Sequence, residues 1–312
     1  MAQNYGLGIV DDYKTTTIKS IEVSHLEKKI SELRSLLSDY KQVLVCYSGG
    51  VDSSYLRAEA VRSLNKDALA FTAISPSLPR REAEEAKRLA NKLGARHLLV
   101  ETHEVDDPRY AANPLNRCYF CKNEVYRVAV EEAKKNRLEH IIDGFNRDDR
   151  GDHRPGRRAA QKYGVLSPLD ELGFRKVDVR ISAQKIGLPV WDKPALACLS
   201  SRFPYGTKIT PKRLKQIGDC EAILQKLGFR TFRVRYQDTV AQIEVGREEL
   251  FKIWQPAIKK VILQEFRKLG FTFVNVDLHG YRRGSMNEKT KDRRDIVPLE
   301  TGGGNSQCVK AL

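Results

Sequence analysis

The chain has 312 residues, 41% of them hydrophobic, and carries 55 Lys and Arg against 40 Asp and Glu for a net charge of +15. That length and apolar content exclude a peptide hormone, a disulfide knot and a fibre, and leave room for one sizeable α/β core and a smaller second one. The basic balance implies a polyanionic partner or an anionic substrate, or else only a solvated basic surface.

No window reaches the roughly eighteen consecutive apolar residues of a membrane-spanning helix. Met1 to Thr17 has neither an apolar signal core nor a small-residue cleavage site, so a cytoplasmic protein with no membrane partner is expected. The six cysteines, Cys46, Cys118, Cys121, Cys198, Cys220 and Cys308, are too few and too irregular for a secreted disulfide framework. Pairs among them therefore read as metal-binding or redox groups.

Along the chain, Ser24 to Tyr40 carries Leu26, Ile30, Leu33 and Leu37 at helical spacing, behind a capping box of Ser24 and Glu27. Val43 to Tyr47 reads as a buried strand, Ser48 to Ser53 as a loop and Ser54 to Leu64 as a helix. The alternation continues through strand Ala68 to Ile74, helix Arg80 to Leu93, strand His97 to Val100, helix Cys121 to Lys135 and strand His140 to Asp143. Strands alternating with helices of this length predict an α/β fold with a doubly wound parallel sheet.

Arg147 to Gly156 is charged and loop-like, Lys176 to Ile186 is amphipathic, and the Pro-containing run from Trp191 to Tyr205 marks the end of a first domain. Beyond Gly206 the pattern becomes helix (Pro211 to Leu227), strand (Thr231 to Tyr236), strand (Val240 to Val245), helix (Glu248 to Leu269) and strand (Thr272 to Leu278). This is a smaller α+β domain, with Leu-Gly-Phe repeated at 227–229 and 269–271. The expected organisation is an extension over 1–23, domains over 24–205 and 206–287, and a disordered tail over 288–312, where charge and Gly302 to Gly304 dominate.

A loop that leaves a buried strand and opens a helix presents unpaired N–H groups and the positive end of the helix dipole, both of which attract phosphate. Gly49 and Gly50 allow close approach, and Ser48 and Ser53 offer hydroxyls, with Val51 and Asp52 between them in the loop. Asp52 would repel phosphate unless it caps the helix or faces Mg²⁺, so one or both roles are expected. The common nucleoside triphosphatase loop is excluded, because no Lys follows the second Gly. The other reading is a plain Gly-Gly turn with an Asp cap.

Cys118 and Cys121 form a Cys-x-x-Cys in Arg117 to Lys122, and Cys198 lies far off in Ala195 to Tyr205. Three thiolates suit an iron-sulfur cluster with one open iron, whereas structural zinc wants a fourth protein ligand. A helix N-terminus with Arg117, Lys122 and Arg202 nearby is expected to lower the thiol pKa values. Half-buried structural thiols are the bland alternative. Cys46 in the first strand, Cys220 on a helix and Cys308 in the tail are left outside the site.

Ser48-Gly-Gly-Val-Asp-Ser53 resembles the PP-loop of the N-type ATP pyrophosphatases, which implies an adenine nucleotide alpha hydrolase-like fold and cleavage of ATP to AMP and pyrophosphate. With Arg117 to Lys122, Arg154-Pro-Gly156, Trp191 to Gly206, Phe232 to Arg235, Ile243-Glu244 and Asp277 to Met286 added, the chain is similar to the LarE-type ATP-dependent sulfur transferases from about Ser24 to Asn287. That resemblance implies adenylylation of the carboxylates of pyridinium-3,5-biscarboxylic acid mononucleotide, then their conversion to thiocarboxylates for the nickel-pincer nucleotide of lactate racemase.

It further implies ATP and Mg²⁺ at Ser48 to Ser53, and a 4Fe-4S cluster on Cys118, Cys121 and Cys198 with sulfide or another sulfur donor resupplying it. A sacrificial Cys198 that gives up its own sulfur is the alternative. Arg202, Arg233 and Arg235 are read as ligands of the mononucleotide phosphate, the last two sharing one strand face, with a solvent-facing basic strand as the other reading. Glu221 and Glu244 resemble acidic positions near that site, as holders of a divalent ion or plain surface charge. The adenine is expected near Ala73 to Ser75 and Gly144. A homo-oligomer is expected.

The rivals are a tRNA thiolase with the same loop and cluster, a nucleotide-binding or iron-sulfur carrier that has lost the chemistry, and an amidotransferase. Nucleic acid is not the expected partner, since the sequence has no aromatic RNP-type motif. The amidotransferase lacks its glutaminase domain.

Overall fold

The structure, a computed structural model, describes residues 9–92, 94, 96–151, 155–194 and 197–282, with side chains from 24 onward. Arg154, Ala195, Leu196, Met286, Asn287, Cys308 and the 288–312 tail lie outside the described residues. Two compact units divide between Asp219 and Cys220, within a helix, rather than at Gly206 where the sequence pattern changes.

In the first unit the order is α1 (Ile9–Tyr40), β1 (Val43–Cys46), α2 (Val51–Leu64), β2 (Ala68–Ile74), α3 (Arg80–Lys92), β3 (His97–Glu101), α4 (Pro108–Ala111), α5 (Arg117–Lys135), β4 (His140–Asp143), α6 (Gly156–Lys162), α7 (Pro168–Glu171) and α8 (Lys176–Lys185). The four strands are all parallel, in the order β3-β2-β1-β4, with Val43 opposite Ala68 on one side and His140 on the other. The doubly wound reading holds.

Alternation along β1 explains the layers. Val43 and Val45 join Leu33 and Leu37 of α1, Tyr55 and Leu56 of α2, and Val179 and Ala183 of α8 in one core. Leu44 points the other way, into a second core with Leu69, Phe71, Tyr126 and Ala129 of α5 and Ala159 and Ala160 of α6. Burial on both faces is why these strands read as continuous apolar runs.

Local expectations change at several places: α1 runs from Ile9, so Ser24 and Glu27 lie inside the helix instead of capping it, and α5 starts at Arg117, not Cys121. The α2 helix starts at Val51, inside the loop, because the Ser54 N–H already bonds the Gly50 carbonyl at 3.0 Å. The stretch expected as loop from Arg147 is a 3-10 turn over Arg147–Gly151, and α6 begins at Gly156. Expected helix Glu248 to Leu269 is broken into a 3-10 turn (Arg247–Glu249), α10 (Leu250–Ile253) and α11 (Pro256–Lys268), as Pro256 cannot donate to the preceding turn.

Helix α9 (Pro211–Lys226) precedes β5 (Phe232–Gln237), β6 (Val240–Val245) and, after α11, β7 (Phe273–Val276). Strands β5 and β6 are antiparallel and β7 runs parallel to β6, giving a mixed three-stranded sheet.

Candidate active site

The phosphate loop is held open by its own side chains. Gly49 takes φ +76°, and a methyl there would lie 3.1 Å from the Ala86 Cβ of α3. Ser53 Oγ donates to the Gly50 carbonyl at 3.2 Å, so it accepts from both the Ser48 N–H (3.2 Å) and the Ser48 hydroxyl (3.1 Å). On the other side Gly144, just past β4, lets the backbone pass so closely that a Cβ there would sit 2.7 Å from the Ser53 nitrogen.

Asp52 does not cap the helix. Gly50 is the N-cap and makes no side-chain cap bond, which leaves Asp52 inside the first turn. Its carboxylate instead pairs with Lys176 Nζ at the start of α8 and accepts from Asn146 Nδ2 at 3.2 Å. An acid in a first turn still complements the helix dipole. Next to Gly144, Asp143 accepts from the Tyr126 hydroxyl (2.7 Å), the Ser167 hydroxyl (2.7 Å) and the Phe145 N–H (3.2 Å).

Behind the loop, the Thr72 hydroxyl donates to the Tyr47 carbonyl at 2.6 Å and therefore accepts from His97 Nε2, 2.9 Å away. His97 is accordingly neutral with its proton on Nε2, and burial, then the nearby Arg57 charge, brings its pKa down to about 4. The expected adenine positions, Ala73 to Ser75 and Gly144, fall at the carboxyl ends of β2 and β4, either side of β1.

The second cluster is assembled from distant parts of the same unit. Cys118 and Cys121 occupy the first turns of α5, and Cys198 precedes a 3-10 turn over Leu199–Arg202. All three are free thiols. Arg117, 6% exposed, donates to the Asn113 side-chain oxygen and, at 3.0 Å, to the Ser200 carbonyl. Tyr110 and Ser200 share a 2.5 Å hydroxyl bond, and Asn113 Nδ2 donates to the Pro204 carbonyl at 2.7 Å.

Burial corrects the expected low pKa values of Cys118 and Cys121. Burial raises Cys118, and the Cys198 charge raises it further, outweighing Arg117 and Lys122. Burial, then Glu104 and Cys198, raises Cys121 strongly. Among the described residues no three His, Cys, Asp or Glu side chains meet at metal-ligand spacing, so the thiols as they stand are neighbours rather than a closed ligand set. Cys46, pushed up to about 12 by burial, belongs to the strand core, and Cys220 is buried in α9.

The asparagine synthase family model matches residues 33–115, which include the phosphate loop. A pyridinium-3,5-bisthiocarboxylic acid mononucleotide synthase of Lactiplantibacillus plantarum is 34% identical over 266 residues, covering 84% of this chain and 95% of that one. The chain belongs to the LarE-type family of PP-loop ATP pyrophosphatases. An uncharacterized protein of Synechocystis is 43% identical over 84% of this chain and 98% of its own, and one of Methanocaldococcus jannaschii is 28% identical over 82% and 98%. The LarE-like chain is thus an ATP-binding enzyme of the pyrophosphatase superfamily, and no described helix is long and apolar enough to cross a membrane.

The remaining expected residues of this LarE-type protein divide between the units. Arg202, 2% exposed, lies in the first and donates to the Ala197 and Cys198 carbonyls, both at 3.0 Å. In the second, Arg235 is not solvent-facing: it is buried and makes a two-point pair with Glu244, Nε to Oε1 at 3.0 Å and Nη2 to Oε2 at 2.7 Å. Arg233, opposite Glu244 in the ladder, donates to the Phe232 carbonyl and stacks over Tyr281. Glu221 is buried too, and accepts from the Val234 N–H at 3.1 Å.

Sequence reasoning missed Lys176, Asn146, Asp143 and Glu104. Lys176 and Asn146 converge on Asp52 of the phosphate loop from other segments, and only Asp143, polar at the end of an apolar strand, carried a local signal.

Proposed function

We propose that this protein adenylylates the carboxylates of pyridinium-3,5-biscarboxylic acid mononucleotide and converts them to thiocarboxylates, with sulfur delivered at Cys118, Cys121 and Cys198. The observation that carries this reading is the 34% identity, over 84% of this chain and 95% of the relative, to a synthase of the corresponding bisthiocarboxylic acid mononucleotide.

In the first step a substrate carboxylate oxygen attacks the α-phosphorus of ATP, the bond to the bridging α,β-oxygen breaks and pyrophosphate leaves. The N–H groups at the start of α2 and the Ser48 and Ser53 hydroxyls face the departing phosphates. Asp52 would hold Mg²⁺, which would supply charge neutralisation for the departing pyrophosphate, and Lys176, now paired with Asp52, would offset phosphate charge beside it. In the second step a sulfur nucleophile attacks the acyl carbon and AMP departs with the original oxygen. Adenylylation is required because a carboxylate repels nucleophiles and loses oxide poorly.

Cys118, Cys121 and Cys198 would hold a 4Fe-4S cluster, which supplies an open iron able to carry sulfide. Three free thiols, with Arg117 to offset the charge three thiolates bring, suit that group. Arg233 and Arg235 bind the mononucleotide phosphate on the second unit, Arg202 is the candidate phosphate ligand of the first, and Glu221 and Glu244 hold a divalent ion or, as Glu244 does for Arg235, orient a guanidinium. The protein works in the cytoplasm as a homo-oligomer.

Anaerobic purification followed by iron, acid-labile sulfide and pyrophosphate assays tests this. About four irons per chain, lost on Cys118→Ala, Cys121→Ala or Cys198→Ala, with pyrophosphate released only when the mononucleotide is added, is the expected result. An iron-free protein in which Cys198 loses its own sulfur would mean a sacrificial donor. Tight, salt-sensitive tRNA binding in place of mononucleotide-dependent turnover would sink the substrate assignment.

A further inference from the structure

Glu104 is 2% exposed, and among the described residues no Lys, Arg or His side chain is hydrogen-bonded to it. Its carboxylate is instead solvated by hydroxyls: Ser75 and Ser77 donate to Oε1 at 2.5 and 2.8 Å, and Thr102 donates to Oε2 at 3.0 Å. A carboxylate buried this deeply is costly unless its acceptors are filled, so the three hydroxyls and the carboxylate hold one another in place. The Ser77 N–H closes the turn on Ser75 Oγ at 3.2 Å.

The far side of that turn reaches the cysteine corner. The Ser77 carbonyl accepts the Leu199 N–H at 2.8 Å, the residue directly after Cys198. The other anchors of the corner grip residues further on, through Ser200, Phe203 and Pro204. The acid also belongs to the 3-10 turn Glu104–Asp106, which packs against α5, the helix that carries Cys121. One buried acid is thus linked through Ser77 to the turn that follows Cys198, on an element packed against the helix of Cys121.

We propose that Glu104 is the positioning residue that sets Cys198 against Cys121, acting through Ser77 and the backbone bond to Leu199. The acid contributes no electrons or protons to the reaction in this role. Its hydroxyl partners fix the carbonyl onto which the Cys198 turn is hung. The meaning of this role rests on the three-thiol reading above, whereas the geometry it predicts belongs to the metal-free chain.

The test uses the full-length, reduced, metal-free protein and a short dithiol-bridging reagent, dibromobimane, with bridged peptides identified by mass spectrometry. Glu104→Met keeps length but removes both acceptors, and the rate of Cys121 to Cys198 bridging is expected to fall about tenfold. Glu104→Gln keeps one oxygen for the two serines and turns its amide to the Thr102 oxygen, so bridging should return close to the wild-type rate. Leu33→Ala, which opens the core under α1, should bridge like wild type although it is destabilised.

A folded Glu104→Met protein that bridges at the wild-type rate, or a Leu33→Ala protein that slows equally, overturns the proposal. If Glu104→Met does not fold, Ser77→Ala decides: about threefold slower bridging is expected, and no change overturns it. Iron content separates the two readings. An iron-free wild type defeats the cluster and leaves the bridging result standing, while normal iron with unchanged bridging in Glu104→Met defeats only the positioning role.

Discussion

The phosphate loop and the cysteine corner are built by opposite means within one unit. In the loop, Ser48, Gly50 and Ser53 bond one another over at most 5 positions of sequence. In the corner, the bonds from Tyr110, Asn113 and Arg117 to the Ser200 to Pro204 segment cross 83 to 91 positions. The loop can take shape as soon as α2 forms on β1, but the corner exists only when the whole unit has folded. A substitution can therefore disperse the thiols while leaving the nucleotide loop intact, and the reverse is harder to achieve.

The largest effect is expected where the loop departs from self-sufficiency. Gly144→Ala puts a Cβ 2.7 Å from the Ser53 nitrogen, and backbone cannot yield as a flexible side chain does. Pyrophosphate release should fall about a hundredfold or more, with dibromobimane bridging of the thiols unchanged. Wild-type turnover in that variant would break the contrast, because the loop would then be indifferent to its neighbour.

Arg117→Ala comes next and probes the corner. It strands the Asn113 oxygen and the Ser200 carbonyl, and should cost about 2 kcal/mol in denaturant unfolding, with slower thiol bridging and unaltered ATP affinity. Loss of ATP affinity in parallel would show that the two regions are one cooperative piece.

Lys176→Met sharpens the loop side. The Asp52 to Lys176 pair is partly open to water, with side chains 33% and 20% exposed, so stability should change by less than about 1 kcal/mol. Binding of ATP with Mg²⁺ should nevertheless weaken several-fold by calorimetry. Equal binding would remove Lys176 from the phosphate site.

The smallest effect concerns His97. Its folded pKa, about 4, lies below the ordinary value of 6.5, so the unfolded chain takes up the proton first as pH falls. The stability from the neutral ring is complete above pH 6.5 and is lost progressively as pH falls toward 4. The thermal midpoint should decline across that window in the wild type more than in His97→Gln. Identical profiles would show that the Thr72 bond carries no linkage.

By itself the sequence determined what depends on near neighbours. The strand runs, the loop at Ser48 to Ser53 and the helix beginning near Cys118 were legible because apolar periodicity, glycine freedom and capping act within a few residues. Even there it misjudged Asp52, since a helix that starts at Val51 rather than Ser54 turns a cap into a first-turn acid whose partner is Lys176. Likewise the thiols were read from local charge alone, and burial, which no local pattern encodes, reversed the direction of Cys118 and Cys121. Only the tertiary structure decided that Gly144 lies against Ser53, that Arg235 is locked to Glu244, and that Glu104 stands behind the Cys198 turn. Each of these is a contact between segments far apart in the chain, and its energy comes from excluding water around groups that the folded packing brings together.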